Sequence, residues 1–182
     1  MIKYLLIVYA SKHGQAEKIA RRIGEVARTP RMDAKVFDVE ELPSDALDHC
    51  ECVIVVGSVY FGRHSKSLAK FVRTNRERLT GMHAAFVSVS LAASGAEGKE
   101  TAEETTAAFL KQTGWTPSRV EMFGGALAYS RYGRFTRWII RRIARSKNLG
   151  TDTSRDYEYT DWRAVDAFAR HFIAPASAVR IA

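Results

Sequence analysis

The chain has 182 residues, an apolar content of 46% and a formal net charge of +8. That is the composition of an ordinary soluble protein, and the length suits one domain spanning residues 1–182 with a sizeable core. No apolar run reaches the roughly 20 residues of a transmembrane helix. No signal peptide is expected, because the first apolar strand begins at residue 2 with neither a cationic leader nor a cleavage site. Charge is uneven: residues 131–147 hold seven basic side chains and no acidic one, which leaves only +1 for the rest of the chain. Two cysteines, Cys50 and Cys52, are too few for a metal site. No disulfide between them is expected, and a reducing cytosolic compartment fits.

Taken in order, residues 2–9 form an apolar, β-rich first strand. A helical pattern follows from about Gln15 to Thr29, with Ile19, Ala20, Ile23 and Val26 at spacings of three and four. A second strand is expected at 34–39, and Leu42-Pro43 then breaks the chain. Residues 52–59 are nearly all apolar, as in a strand covered on both faces. Leu68, Phe71 and Val72 mark a helix ending near Leu79, and the fourth strand is 83–91. After a small-residue loop, 92–98, comes a helix over 99–113, with Ala107, Ala108 and Leu110 as inward candidates. A fifth strand is expected at 119–128. The last helix starts near Asp161-Trp162, with Asp161 as its cap and Val165, Phe168, Ala169 and Phe172 as its buried stripe. Strands alternating with helices predict an α/β fold, a doubly wound five-stranded parallel sheet of flavodoxin-like order 2-1-3-4-5. An insertion at about 129–160 separates the fifth strand from the last helix.

In such a sheet the loops after strands one, three and four meet at the switch point. The first of these, Ser11-Lys12-His13-Gly14-Gln15-Ala16, joins a strand to a helix N-terminus. Backbone N–H groups and the positive end of the helix dipole suit a phosphate there, with Ser11 adding a hydroxyl and Gly14 permitting close approach. The loop is neither a Walker A sequence nor GxGxxG. The loop after strand three, Ser58-Val59-Tyr60-Phe61-Gly62, brings two aromatics that could stack on a planar ring. After strand four, Ser88, Ser90 and Leu91 offer hydroxyls and backbone but no aromatic, which leaves one ring face open to a bulky substrate. His13 and His64 lie in site loops and could contact phosphate or substrate, whereas His49, His83 and His171 read as surface or core groups. No metal-ligand spacing occurs. The loop Ser11–Ala16 resembles the FMN phosphate loop of flavodoxins, Ser/Thr-x-x-Gly-x-Thr, with Ala16 in place of the final Thr.

Within the insertion, residues 132–146 read as a basic amphipathic helix. At about 100° per residue, Tyr132, Phe135, Ile139 and Ile143 fall on one face, with Arg134, Arg137, Arg141 and Arg145 opposite and Trp138 and Arg142 at a boundary. Such a helix lies in a membrane interface or packs on its own domain with a solvated arginine face. No nucleic-acid motif accompanies the charge, so no nucleic-acid partner is expected.

With all these segments in view, the chain resembles the menaquinone-dependent protoporphyrinogen IX dehydrogenase family of bacteria. The stretches that carry the likeness are SKHGQAEKI (11–19), VGSVYFG (56–62), FVSVSL (86–91), GALAYSRY (125–132) and TDTSRDYEYTDW (151–162). Departures are Ala16 and the polar residues around Arg63 and His64. The resemblance implies an FMN-dependent oxidoreductase of haem and porphyrin biosynthesis, with protoporphyrinogen IX as donor and menaquinone or ubiquinone as acceptor. It also implies a cytoplasmic protein attached peripherally to the inner membrane surface. Arg131, Arg134, Arg137 and Trp138 are the candidates for substrate propionates or anionic lipid. No protein nucleophile or general base is assigned. The competing readings are a flavodoxin-type electron carrier and an NAD(P)H-quinone reductase.

Overall fold

Strand β1 (Lys3–Ala10) sends Leu5, Ile7 and Tyr9 into one core and Leu6, Val8 and Ala10 into another. This is the two-residue alternation of an extended chain, used on both faces at once. In the computed structural model, which describes residues 3–30, 32–146 and 149–178, β1 pairs with β2 (Met32–Asp38) on one side and β3 (Cys52–Ser58) on the other. Strands β4 (His83–Ser90) and β5 (Arg119–Gly124) extend the sheet, all pairs parallel, in the expected order β2-β1-β3-β4-β5. Helices α1 (Gln15–Ala27) and α6 (Trp162–Ala178) cover one face. Helices α2 (Lys66–Thr74), α3 (Arg76–Gly81) and α4 (Lys99–Thr113) cover the other. Asp161 caps α6 by accepting the N–H groups of Arg163 and Ala164 at 2.9 and 3.2 Å. The α6 stripe Val165, Phe168, Ala169 and Phe172 is buried as expected.

Three expectations are corrected. The helix after β3 is split at Asn75, whose backbone and side-chain N–H groups both bond to the Phe71 carbonyl and end α2. Helix α4 turns Ala102, Thr106, Phe109 and Thr113 inward, and Ala107 and Ala108 face solvent. Phe109 fixes that rotation by stacking on Phe86 with ring centroids 4.6 Å apart. The fifth strand stops at Gly124, and the chain enters a separate ribbon, β6 (Ala126–Leu127) paired antiparallel with β7 (Tyr157–Glu158).

The insertion has a core of its own. Leu127, Tyr129, Tyr132, Ile140 and Ala144 are buried together, with Leu91, Ile143 and Tyr157 against them. Helix α5 (Arg134–Ser146) begins after Gly133, whose carbonyl accepts the Arg137 N–H at 2.8 Å. Its inner side is Ile140 and Ala144, not the expected Phe135 stripe: Phe135 and Trp138 are 74% and 61% exposed. Lys147 lies outside the described residues. Cys50 and Cys52 are not bonded to each other. Among the described residues no helix is long and apolar enough to cross a membrane.

Candidate functional site

The order of the sheet reverses between β1 and β3, so the loops leaving their carboxyl ends part and open a crevice. A cavity of about 200 Å³ lies there, lined by Ser11–His13 and Gln15 after β1, Ser58–Gly62 after β3 and Ser90–Ala92 after β4. Gly125 and Ala126 add a fourth loop, after β5.

The first loop joins β1 to the N-terminus of α1. Ser11 Oγ accepts the Gly14 N–H at 3.0 Å and closes the turn. Gly14 caps α1 with φ of 93°, a left-handed conformation natural to glycine, and no side chain caps the helix. Ala16 is fully buried in the core below and does not line the cavity. His13 packs edge-on to Tyr60 and Tyr132 at 5.3 and 4.7 Å, and its Nε2 is a buried polar atom with no hydrogen-bond partner. Burial, and then the charges of Lys12 and Arg131, hold His13 below its ordinary pKa.

The second loop is a tight turn. Tyr60 and Arg63 exchange backbone hydrogen bonds at 2.9 and 3.2 Å around Phe61 and Gly62, both at positive φ (47° and 74°). Positive φ at both central positions is the mark of a type I′ turn. A bulky residue is strained there, yet Phe61 stands 55% exposed at the cavity rim. Lys12 Nζ lies 5.8 Å over the Tyr60 ring.

In the third loop Ser90 Oγ accepts the Ala93 N–H at 3.1 Å, and Leu91 joins the insertion's core. Ser88 does not line the cavity; it is buried earlier in β4, on the same face as Phe86, where its Oγ meets His64 Nε2 at 3.3 Å. His64 is likewise not in the cavity. It sits between Phe86 and Phe109, at 5.2 and 4.8 Å, and burial pushes its pKa down to about 4.

The insertion forms the far wall, with Tyr132, Ile140 and Ile143 lining the cavity opposite Thr101 and Thr105 of α4. Sequence periodicity assigned Tyr132 to the helix. The Tyr132-Gly133 pair is the available signal that it precedes the helix instead. None of Arg131, Arg134, Arg137 and Trp138 lines the cavity. Arg131 reaches the first loop, where its Nη1 donates to the His13 carbonyl at 2.9 Å. Arg137 donates to the Tyr132 carbonyl at 3.3 Å, and Arg134 and Trp138 face outward. Among the described residues no cluster of His, Cys, Asp or Glu could hold a metal ion.

A crevice at the switch point, closed by a glycine-capped helix N-terminus, is the arrangement of a flavodoxin. The flavodoxin domain family matches residues 6–154. A short-chain flavodoxin associated with a bacterial microcompartment superposes over 96% of this chain and 99% of its own, with a TM-score of 0.59 at 15% identity, which supports the fold. The chain belongs to the flavodoxin-domain family, flavin-binding proteins, and is a flavodoxin-fold oxidoreductase. Its place within that class is narrower. It is 31% identical to a protoporphyrinogen IX dehydrogenase (quinone) of Escherichia coli, over 91% of this chain and 92% of that one. It is 33% identical to the protein of the same name from Leishmania major, over 96% of this chain and 76% of that one. With these two it forms one family.

Proposed function

We propose that this protein is an FMN-dependent protoporphyrinogen IX dehydrogenase of haem biosynthesis that passes electrons to a membrane quinone. The observation that carries this reading is the cavity itself. A loop suited to a phosphate and a wall of apolar insertion residues, Ile140, Ile143 and Tyr132, face the same space. A plain electron carrier needs only the first; the second suits a bulky, largely apolar reactant beside the cofactor. The residues present fit FMN: an uncapped α1 N-terminus for the phosphate, the orphaned His13 Nε2, and Tyr60 and Phe61 at the ring end. When bound, FMN supplies the redox chemistry, taking two electrons from the macrocycle and giving them to quinone.

The chain's own residues bind, orient and exclude water. Backbone N–H groups of the first loop and the dipole of α1 hold the phosphate. Tyr60 or Phe61 contacts the isoalloxazine edge or face. Ile140 and Ile143 keep water from the open side, where β4 contributes small side chains and no aromatic. His13, kept neutral near pH 7 by burial and by Lys12 and Arg131, offers a hydrogen-bonding imidazole without adding charge.

The same reading puts the protein at the cytoplasmic face of the inner membrane. The outer side of α5 supports it, with Phe135 and Trp138 stacked at 6.5 Å and exposed beside Arg134, Arg141, Arg142 and Arg145. Aromatics flanked by arginines suit the headgroup layer of an anionic leaflet.

One assay tests the function. Purified protein with FMN is given porphyrinogen and quinone, or NADPH and quinone, with porphyrin fluorescence and quinone absorbance followed. Turnover is expected only with porphyrinogen. Turnover with NADPH alone would make the protein an NADPH-quinone reductase, and turnover with neither donor would leave an electron carrier.

A further inference from the structure

Arg131 is separated from the first loop by more than a hundred residues, yet its guanidinium lies directly against it. Nη1 donates to the His13 carbonyl at 2.9 Å. A Cβ added to Gly14 would overlap that same Nη1. Gly14 therefore serves two ends: it adopts a left-handed φ, and it leaves room for an arginine over the α1 cap.

The turn that carries Arg131, residues 129–131, is fixed from both sides. Asp156 accepts the Ser130 N–H at 2.8 Å and the Ser130 hydroxyl at 2.6 Å. Tyr129 donates its hydroxyl to the Gly150 carbonyl at 2.8 Å. Asp156 is thereby occupied by Ser130, and the Ser130 hydroxyl, followed by its N–H, holds its carboxyl below the usual range. Asp156 also feels the charge of Arg131, but its hydrogen bonds go to Ser130 and not to the guanidinium. A guanidinium has five N–H donors, and the His13 carbonyl uses one edge of it. Lysine is not equivalent here, because only a planar fork can bond a carbonyl and still present donors to an oxyanion.

We propose that Arg131 is the cation that the insertion brings to the phosphate of FMN. It would close over the phosphate loop at the Gly14 cap of α1. This rests on the FMN reading above and extends it. The insertion then does two things, walling the cavity with Ile140 and Ile143 and clamping the cofactor by its anionic end. Asp156 acts through Ser130 as the positioning residue of that clamp.

The test separates the phosphate from the rest of the cofactor. Flavin fluorescence titrations give Kd for FMN and for riboflavin, which lacks the phosphate, with wild type, Arg131→Gln and Asp156→Ala. Wild type is expected to prefer FMN strongly. Arg131→Gln should weaken FMN on the order of 10- to 100-fold, the scale of a lost charge-assisted contact, and leave riboflavin within about twofold. Asp156→Ala should lose part of the same preference, which a merely structural defect would not produce, since it would weaken both flavins alike. Raised salt should narrow the FMN gap between wild type and Arg131→Gln. An Arg131→Gln protein with the wild-type FMN-to-riboflavin preference overturns the inference and leaves the FMN reading standing. A wild type that binds neither flavin overturns both.

Discussion

At the scale of single residues, two positions carry a local cost, Phe61 at the cavity rim and His64 between two core aromatics. Phe61 holds φ of 47° and offers most of its ring to solvent at the cavity rim. A left-handed L-residue costs roughly 1–2 kcal/mol, less for Asn. Phe61→Asn is therefore expected to raise the melting temperature or leave it level while lowering porphyrinogen turnover and shifting the flavin spectrum. A variant with wild-type turnover and spectrum would take Phe61 out of the site. His64 is the second. Its pKa falls from 6.5 to about 4, with burial the leading cause. Between those values the unfolded chain binds a proton that the native state refuses. Stability is thus full above pH 6.5 and declines as pH drops toward 4, by at most about 1.4 kcal/mol per pH unit from this group. Chemical denaturation of the apoprotein at pH 7, 6 and 5 should show that slope in wild type and a shallower one in His64→Gln. Parallel slopes would assign the acid sensitivity elsewhere.

Among the elements, α5 is the one whose two sides belong to different partners. Its inner side, Ile140 and Ala144, completes the insertion's core. Its outer side carries exposed Phe135 and Trp138 among arginines. A basic residue at an anionic leaflet is worth about 1 kcal/mol, and salt screens it. Replacing Arg134, Arg141, Arg142 and Arg145 with Gln is expected to cut co-sedimentation with anionic vesicles, most at low salt. FMN content should stay normal, because none of the four lines the cavity and Arg131, the arginine that reaches the first loop, is left in place. Turnover with quinone in vesicles should fall more than turnover with a soluble acceptor. Vesicle binding and quinone rate equal to wild type would make this face an ordinary solvated one.

For the molecule as a whole, the insertion and the flavodoxin-like layers meet at the amino end of α1. Gln15 Nε2 donates to Thr160 Oγ1 at 2.8 Å, Lys18 pairs with Glu158 at 3.1 Å, and Arg131 bonds His13. A ligand at that end should therefore steady both parts. FMN at about 100 times its Kd is expected to add about 2.7 kcal/mol to apoprotein stability. Limited proteolysis should show slower cleavage within residues 129–160 in the same samples, and cleavage as fast with FMN as without would uncouple the two. The sheet order, the strand-loop-helix junction after β1 and the α6 stripe were legible in the sequence. Each rests on a local pattern, two-residue or 3.6-residue periodicity or a strand-loop-helix junction, that holds whatever packs beside it. The rotation of α5 was not legible, because Phe135, Trp138, Ile139, Ile140 and Ile143 spread apolar residues round much of the helix. Only the distant partners Leu91 and Tyr157 select Ile140 and Ala144 for the inside. The same holds for His64, which its loop allows to face either way and which Phe86 and Phe109 hold between them, whereas Ser88 shares the face of Phe86 by two-residue alternation within β4. The sequence by itself determined the layers and the glycine-containing turn between β1 and α1. Tertiary structure alone decided that Arg131 lies over that loop, since the contact joins residues 118 apart through a turn held by Asp156, and no local pattern encodes such a meeting.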